Sequence, residues 1–218
     1  MCIDNSTIYV LIEKISTKTY YIYSVHPTGI SLLHTINVNA AATYSDATPL
    51  KMVCDGRGGF WIIANTQISI TSKCALLHVN NNGTVDYSVT PSNLKGFNNT
   101  DLFSNVIACN TNDNILAIVK NNVVELYSIN YSNMTLTNIA STNTLYDISD
   151  MAFDYAGNLY VIDKDTNKLY KYIVPSANLT YTVEAPYKYS FTCSNSISLF
   201  EYNDPISFTS EYLIAGDN

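Results

Sequence analysis

The chain has 218 residues and a net charge of −7, with 47% hydrophobic and only 13% charged residues. This length suits one sizeable all-β domain, so we expect a single domain over residues 1–218. The 11 basic residues are outnumbered by 18 acidic ones, and no apolar run reaches the roughly 18 residues of a membrane span, so neither nucleic-acid binding nor a membrane span is expected.

The first predicted unit, residues 2–36, is built from short runs such as "IYVLI" that are rich in Val, Ile, Tyr and Thr. Turn residues separate these runs, and no stretch keeps a helical period. The pattern predicts an all-β fold. The N-terminus has no basic region and only a short apolar run, so we expect no cleavable secretory signal.

Three further units repeat this arrangement over residues 51–89, 104–139 and 148–183. Each opens as strand, polar turn, strand. The three openings are "MVCDGRGGFWII" from Met52, "IACNTNDNILAIV" from Ile107 and "MAFDYAGNLYVI" from Met151. A later copy, "FTCSNSISLF" from Phe191, begins a fifth unit over residues 188–215, the poorest match, in which "ISFTSEYLIAG" supplies the last strands or closes the ring.

A second turn recurs in the first four units. A β-branched residue stands four places before its end, and the end is Gly or Asn, which tolerate the left-handed backbone of a hairpin. The ends, Gly29, Gly83, Asn133 and Asn178, are 54, 50 and 45 residues apart. Repeats of about 40–50 residues with four antiparallel strands are typical of β-propeller blades. We therefore predict a small propeller of about five blades, and six also fit the length.

The stretch "DYAGNLYVIDKDTNKLYKY" resembles blades of NHL-type and streptogramin-lyase-like propellers, in which an Asp…Gly-Asn turn joins the first two strands. The resemblance implies the propeller fold and specifies no function. A lyase would need a His/Glu catalytic group, and no matching motif stands in this sequence.

The longer insertions fall on the face of the predicted propeller opposite the tight turns. They cover residues 38–50, 90–103, 141–147 and 184–188. Loops on a rigid scaffold often carry contacts, so we expect this face to bind other protein subunits, as a homo-oligomer or a larger assembly. The apolar residues expected to bind a partner are Tyr44, Leu94, Phe97, Leu102, Phe103, Leu145, Tyr146 and Tyr187. The alternative is that they fold back and fill the seams between blades.

The cysteines indicate neither a disulfide framework nor a zinc site, because they are odd in number, widely spaced and without a CxxC motif. They are Cys2, Cys54, Cys74, Cys109 and Cys193. We expect small buried hydrophobes, and a disulfide between two of them stays open.

Neither a metal nor a cofactor is predicted from the other side chains. The histidines, His26, His34 and His78, have no carboxylate or cysteine at ligand spacing. The segment "DKDTNK", residues 163–168, resembles the start of a calcium loop, but Lys168 stands where that loop needs glycine. A plain hairpin turn is the prediction there.

Acids recur at one position of the first turn, where Asp4, Asp55 and Asp154 stand, with Asn110 and Ser194 completing the series. Paired acids hydrolyse glycosides when held about 5–10 Å apart, but such side chains also cap turns by accepting backbone N–H bonds. We expect capping, and no catalytic residue is predicted. The Gly-rich "DGRGG" precedes a strand, so it predicts a loose hairpin instead of a phosphate-binding helix terminus.

Six sequons mark candidate glycosylation sites, and all but one map to the tight-turn face. They are Asn5, Asn82, Asn98, Asn130, Asn133 and Asn178, of which Asn98 is the exception. Glycans there would leave the long-loop face free to bind a partner.

Three functions are consistent with this sequence. The charge-poor composition, rich in Asn, Thr and Tyr, resembles virion proteins of archaeal spindle-shaped viruses. This implies a non-enzymatic tail or nozzle component, located in the virion, with the cytoplasm as the alternative location. A lectin-like carbohydrate-binding propeller that uses Tyr and Asn is the first alternative. A propeller hydrolase or lyase, with acids or histidines converging on a central channel, is the second.

Overall fold

The computed structural model describes residues 1–4, 6–17, 19–37, 47–68, 71–89, 103–142, 144–145, 147–166, 168–174 and 180–183. All of these residues belong to one compact unit, Met1–Ala185. The fifth predicted blade, residues 188–215, lies outside this part of the chain, so the prediction of one domain over residues 1–218 stays a prediction.

The described residues form sixteen strands in four antiparallel sheets, which we call blades 1 to 4. Blade 1 contains β1 (Cys2–Asp4), β2 (Thr7–Lys14), β3 (Thr19–His26) and β4 (Gly29–Asn37). Blade 2 contains β5 (Ala47–Cys54), β6 (Phe60–Ile68), β7 (Thr71–Val79) and β8 (Val85–Val89). Blade 3 contains β9 (Phe103–Asn110), β10 (Ile115–Lys120), β11 (Val123–Asn130) and β12 (Thr135–Ser141). Blade 4 contains β13 (Ile148–Phe153), β14 (Leu159–Asp163), β15 (Lys168–Ile173) and β16 (Thr180–Val183).

Strands that follow one another in the sequence pair with one another in every blade. The first strand of each blade contacts the first strand of the next, so β1, β5, β9 and β13 are successive neighbours. This radial arrangement of meanders is the β-propeller that the repeats predict. The four blades also confirm the predicted units at residues 2–36, 51–89, 104–139 and 148–183 to within four residues at each end.

Alternating side chains explain why each sheet has two buried faces. In β6, Phe60 and Ile62 pack toward blade 1, whereas Trp61 and Ile63 pack toward blade 3. All four side chains are almost fully buried. Each such side chain stabilises its seam by about 1.5–3 kcal/mol through burial alone, so the seams between blades constitute the core.

Three apolar seams join the four blades. The seam between blades 1 and 2 contains Tyr20, Ile22, Ile36, Met52, Cys54, Phe60, Ile62, Ala64, Ala75, Leu77 and Val79. The seam between blades 2 and 3 contains Trp61, Ile63, Leu76, Ile107, Leu116, Ile118, Tyr127 and Ile129. The seam between blades 3 and 4 contains Val106, Ala108, Ile115, Ala117, Val119, Val124, Leu126, Leu145, Ile148, Met151, Leu159, Val161 and Tyr172.

The opposite face of blade 1, turned away from blade 2, is also apolar. Ile3, Ile12, Ile30 and Leu32 lie on it and are 51–71% exposed within the described residues. Blade 1 therefore presents an exposed apolar sheet face.

Within the described ranges, no helix could span a membrane.

Leu145 was expected to be exposed on a loop, but it is buried in the seam between blades 3 and 4. Phe103 was placed in a loop and is instead the first residue of β9. At Leu145 the alternative is correct, because an apolar loop residue beside an open seam gains more from burial than from exposure.

Candidate functional site

The turn between β5 and β6 is built by the side chain of Asp55. Its Oδ1 accepts the backbone N–H of Arg57 at 2.7 Å and that of Gly59 at 2.8 Å. Gly56 and Gly58 have φ of 73° and 84°, which glycine adopts most readily. The "DGRGG" segment is therefore a hairpin, as predicted, but a tight and capped one instead of a loose one.

His78, on β7, lies between two carboxylates. Its Nε2 is 3.0 Å from Asp55 Oδ2, and its Nδ1 is 2.6 Å from Asp86 Oδ1. Both ring nitrogens therefore lie within hydrogen-bonding distance of a carboxylate oxygen. Asp55 and His78 are almost fully buried, whereas the Asp86 side chain is 29% exposed, so the His78–Asp55 pair links parts of the blade from its interior.

The pKa of Asp55 is lowered by its partners. Burial alone would raise this pKa, but the hydrogen bond from His78 and those from the N–H groups of Arg57 and Gly59 outweigh burial. The carboxylate is therefore charged and fully engaged inside the protein.

Aromatic rings extend this cluster across the seam between blades 2 and 3. The ring of Trp61 lies 4.6 Å from that of His78, and Trp61 Nε1 donates to the hydroxyl of Tyr131 at 3.4 Å. Burial raises the pKa of Tyr131 and that of the neighbouring Cys109 thiol, the latter to about 12. Tyr131, which follows β11 of blade 3, is therefore held by a hydrogen bond from Trp61 of blade 2.

Arg57 covers the same tyrosine from the solvent side. Its guanidinium carbon is 4.4 Å from the centre of the Tyr131 ring, and its Nη2 donates to Asn114 Oδ1 at 3.4 Å. An open depression of about 430 Å³ lies beside this guanidinium. It is lined by Arg57, Asn114, Ser128, Ile129, Asn130, Tyr131 and Ser132. We call this depression the Arg57 site.

The lining of the Arg57 site combines one fixed cation with neutral donors and acceptors. Arg57 is the sole arginine in a sequence that contains ten lysines. Among the described residues no carboxylate forms a salt bridge with it. Asn130 Oδ1 already accepts from the N–H and the hydroxyl of Ser132, at 3.0 and 2.6 Å, which leaves the Asn130 amide N–H groups as donors. Such a set suits a ligand with an anionic group and several hydroxyls.

The inner strands carry a different arrangement. Lys51 on β5 and Asp150 on β13 form an ion pair with Nζ 2.8 Å from Oδ1. A lysine ammonium beside the carboxylate competes with any cation that would bind there. The described residues contain no group of three or more His, Cys, Asp or Glu side chains placed to hold a metal ion.

Three members of the series at the first turns, Asp55, Asn110 and Asp154, cap their turns, as predicted. Asp154 Oδ1 accepts the N–H of Asn158 at 2.8 Å, in the same way that Asp55 caps its turn. Asn110 Oδ1 accepts the N–H of Asn112 at 3.1 Å. Ser194 lies outside the described residues. The hairpin turn predicted after Asp163 is confirmed, since Oδ1 of Asp163 accepts the N–H of Thr166 at 3.3 Å between β14 and β15.

The histidines differ from one another. His26 is exposed at the end of β3, and His34 is partly buried, with its ring 6.3 Å from that of Phe60. The sequence analysis found no carboxylate at ligand spacing from His78, but Asp86, eight residues later, lies beside its Nδ1. The short turn between β7 and β8 brings both onto one hairpin, and that turn was the signal that could have revealed the pair.

Most residues expected to bind a partner lie outside the described part of the chain, so their role stays a prediction. They are Tyr44, Leu94, Phe97, Leu102, Tyr146 and Tyr187. The same holds for three sequons, Asn5, Asn98 and Asn178. The other sequons, Asn82, Asn130 and Asn133, are exposed at the tight-turn face, and Asn130 lines the Arg57 site.

No protein-family model and no curated protein matches the sequence. Solved structures match at low identity. The chain is similar to a luciferin-regenerating enzyme (16% identity, TM-score 0.54, 83% of this chain and 59% of that one). It is similar to a putative 6-phosphogluconolactonase from Bacteroides uniformis (15%, TM-score 0.53, 83% and 52%). It is also similar to a protein from Lactobacillus plantarum (11%, TM-score 0.57, 87% and 56%).

These proteins are propeller-like, and at this identity the likeness shows the fold alone. The chain spans between about half and three fifths of their length. The fold and the likenesses together define a small β-propeller. Nothing in them supports the finer assignment to NHL-type blades.

The comparisons correct the predicted function. Two of the similar structures carry the names of enzymes, a luciferin-regenerating enzyme and a putative 6-phosphogluconolactonase, and this finding contradicts the prediction of a virion tail or nozzle component. That prediction depended on the amino-acid composition, which reflects the chemistry of the protein surface and does not indicate which proteins the chain is related to. The location of the chain and its partner subunits stay predictions.

Proposed function

We propose that this chain is a ligand-binding propeller that takes a small polyhydroxylated anion, such as a sugar acid or a phosphorylated sugar, in the Arg57 site. The observation that supports this proposal is the placement of Arg57, which is exposed, fixed over Tyr131, and without a carboxylate partner among the described residues. This proposal follows the lectin-like alternative but places one ligand site in the chain. A site that depends on arginine cannot recur in every blade, because the sequence has a single arginine.

The guanidinium is held in place before any ligand arrives. The contact with the Tyr131 ring and the hydrogen bond to Asn114 restrict a side chain that would otherwise lose rotamer freedom on binding. A planar guanidinium can donate two parallel hydrogen bonds to a carboxylate or a phosphate, which an ammonium group cannot do. Because the chain carries a net charge of −7, a local cation is needed to attract an anion.

The remaining lining residues suit the hydroxyl groups of a sugar. Ser128 and Ser132 carry hydroxyls, and Asn114 and Asn130 carry amides, so the ligand can both donate and accept hydrogen bonds. The depression is open, and a bound sugar would keep part of its surface in water. We therefore expect weak binding, with a Kd of about 0.1–1 mM.

Binding is better supported than catalysis at this site. A hydrolytic or lyase step needs an acid or a base in contact with the ligand. The lining residues supply neither, and Asp55 and His78 lie buried beneath Trp61 and Tyr131. The name of one similar structure, a putative 6-phosphogluconolactonase, refers to a phosphorylated sugar lactone, which fits the ligand class proposed here.

Calorimetric titration of the full chain with gluconate, glucose 6-phosphate, 6-phosphogluconate, glucose and inorganic phosphate tests the proposal. The sugar anions should bind more tightly than glucose, and more tightly than phosphate alone. Arg57→Gln should weaken the sugar anions at least about tenfold, which corresponds to the loss of one charge-assisted pair. Arg57→Lys should retain part of the affinity, since it keeps the charge and loses the paired donors.

The matched control is Lys164→Gln, which also removes one positive charge. Lys164 is an exposed lysine in the turn after β14, and its ammonium group lies near the Asp147 carboxylate. This variant should bind the sugar anions like the unmodified chain. The proposal fails if none of the ligands binds, or if Arg57→Gln binds them as tightly as Lys164→Gln while both variants keep the melting temperature of the parent.

A further inference from the structure

Two cysteines from different blades meet at the seam between blades 1 and 2. Cys2 is the first residue of β1, and Cys54 is the last residue of β5. Their Sγ atoms lie 2.8 Å apart, and both thiols are free. Cys54 is buried in the apolar seam, whereas Cys2 is partly exposed.

The separation of these sulfur atoms is closer to a bond than to an ordinary contact. A disulfide bond is about 2.05 Å long, so the two atoms need to approach by about 0.8 Å. The two strands are already neighbours, so we expect rotation of the two side chains to supply a movement of this size. The sequence alone left open whether two of the cysteines form a disulfide. This geometry indicates that the pair would be Cys2 and Cys54.

Cys109 shows that the pair is not a general feature of the repeat. Cys54 precedes the capping residue Asp55, and Cys109 precedes the capping residue Asn110 in the next blade. Cys109 has Tyr131 as its hydrogen-bond partner. The same strand position therefore meets a thiol at one seam and an aromatic hydroxyl at the next.

We propose that Cys2 and Cys54 form a reversible disulfide that ties the first strand of blade 1 to the first strand of blade 2. The oxidant is a low-molecular-weight disulfide. The Cys2 thiolate attacks one of its sulfurs and releases one small thiol. The Cys54 thiolate then attacks Cys2 Sγ in the mixed disulfide and releases the second small thiol. The protein loses two protons and two electrons, and the small disulfide gains them as two thiols.

The order of these steps follows from exposure. Cys2 is the thiol that a small disulfide can reach from solvent. The hydrogen bond to Cys2 is the largest cause that raises the pKa of Cys54, and burial is the second. Cys54 therefore ionises less readily, and we expect it to react in the second step. Ring closure should therefore be faster at higher pH, because the second step needs the Cys54 thiolate.

The disulfide would close a long loop, since its ends are 52 residues apart in the sequence. Cross-linking two such positions restricts the unfolded chain more than the folded one, where they already touch. Oxidation should therefore raise the melting temperature of the full chain by about 5–15 °C. It should also slow amide exchange in β1, a strand of only three residues.

The test begins with reduced full-length protein, which is incubated with oxidised and reduced glutathione, alkylated, and digested without reduction. Mass spectrometry should find the peptide of Cys2 joined to that of Cys54, and dithiothreitol should release them. Calorimetry should show the higher melting temperature only in the oxidised sample.

Cys2→Ser should abolish both the cross-link and the shift in melting temperature, and this partly exposed position allows the variant to fold even if Cys54→Ser does not. Cys109→Ser is the matched control and should keep both effects. The proposal is overturned if Cys54 stays fully alkylated after oxidation, or if Cys2 is recovered only as a mixed disulfide with glutathione. It is also overturned if the shift in melting temperature persists in Cys2→Ser.

Discussion

His78 Nε2 lies 3.0 Å from Asp55 Oδ2, which ties the third strand of blade 2 to the turn between its first two strands. The same imidazole also meets Asp86 on the fourth strand. One buried side chain therefore links parts of the blade that lie 23 and 8 residues apart in the sequence. Above this cluster, Tyr131 and Arg57 form the floor and the cation of the proposed ligand site.

Asp55→Ala should destabilise the protein by about 3–5 kcal/mol. The substitution leaves the buried ring of His78 without one carboxylate partner and removes the acceptor of two backbone N–H groups. Urea denaturation followed by circular dichroism measures the loss. Asp154→Ala is the control, since Asp154 caps the equivalent turn without a histidine, and it should cost only about 1–3 kcal/mol. Equal losses in the two variants would show that His78 adds nothing to the cap.

The same carboxylate should make the protein sensitive to acid. The pKa of Asp55 is lower in the folded protein than in the unfolded chain, where it is about 3.9. Its stabilising contribution is therefore complete above the unfolded value and is lost as the pH falls through the lower, folded value. Urea midpoints measured from pH 7 down to pH 2 should decline less steeply for Asp55→Asn than for the unmodified chain. Parallel curves would contradict this assignment.

Gly59→Ala should destabilise blade 2 for a steric reason. An added Cβ would lie 2.5 Å from Asp55 Oδ2 and 2.6 Å from the carbonyl oxygen of Val79. Neither neighbour can move away, because Asp55 is fixed by three hydrogen bonds and Val79 lies in a buried strand. We expect a loss of about 1–3 kcal/mol in urea denaturation.

A double-mutant cycle isolates the source of that loss. Asp55→Ala removes one of the two clashing atoms, so combining it with Gly59→Ala should cost less than the sum of the two single losses. Strict additivity would mean that the methyl group added at position 59 acts through the backbone and not through the Asp55 carboxylate.

The sequence predicts the blades because their signals are local. Alternation in β6 and β10, and turns capped by Asp55, Asn110 and Asp154, each depend on a few adjacent residues. The candidate site depends instead on pairs far apart in the chain. Arg57 meets Tyr131, and Cys2 meets Cys54, only after the blades have packed side by side. Register across a seam is set by tertiary packing, and no periodicity in a single strand encodes it.

Three tyrosine phenols and the Cys109 thiol, all fully or partly buried, should make the protein unstable in alkali. Burial raises the pKa of Tyr20, Tyr127 and Tyr131 and that of Cys109, the last to about 12, above the unfolded values of about 10 and 8.5. A group with a raised folded pKa stabilises the protein fully below its unfolded pKa, and this contribution is lost as the pH rises toward the folded value. Melting temperatures should therefore fall progressively above about pH 8.5. Tyrosinate absorbance from these three residues should rise together with unfolding. In Cys109→Ala the melting temperature should fall less steeply over the first part of this pH range. If the three phenols ionise near their ordinary pKa while the chain stays folded, the seams between blades are open to water and the packing described here is incorrect.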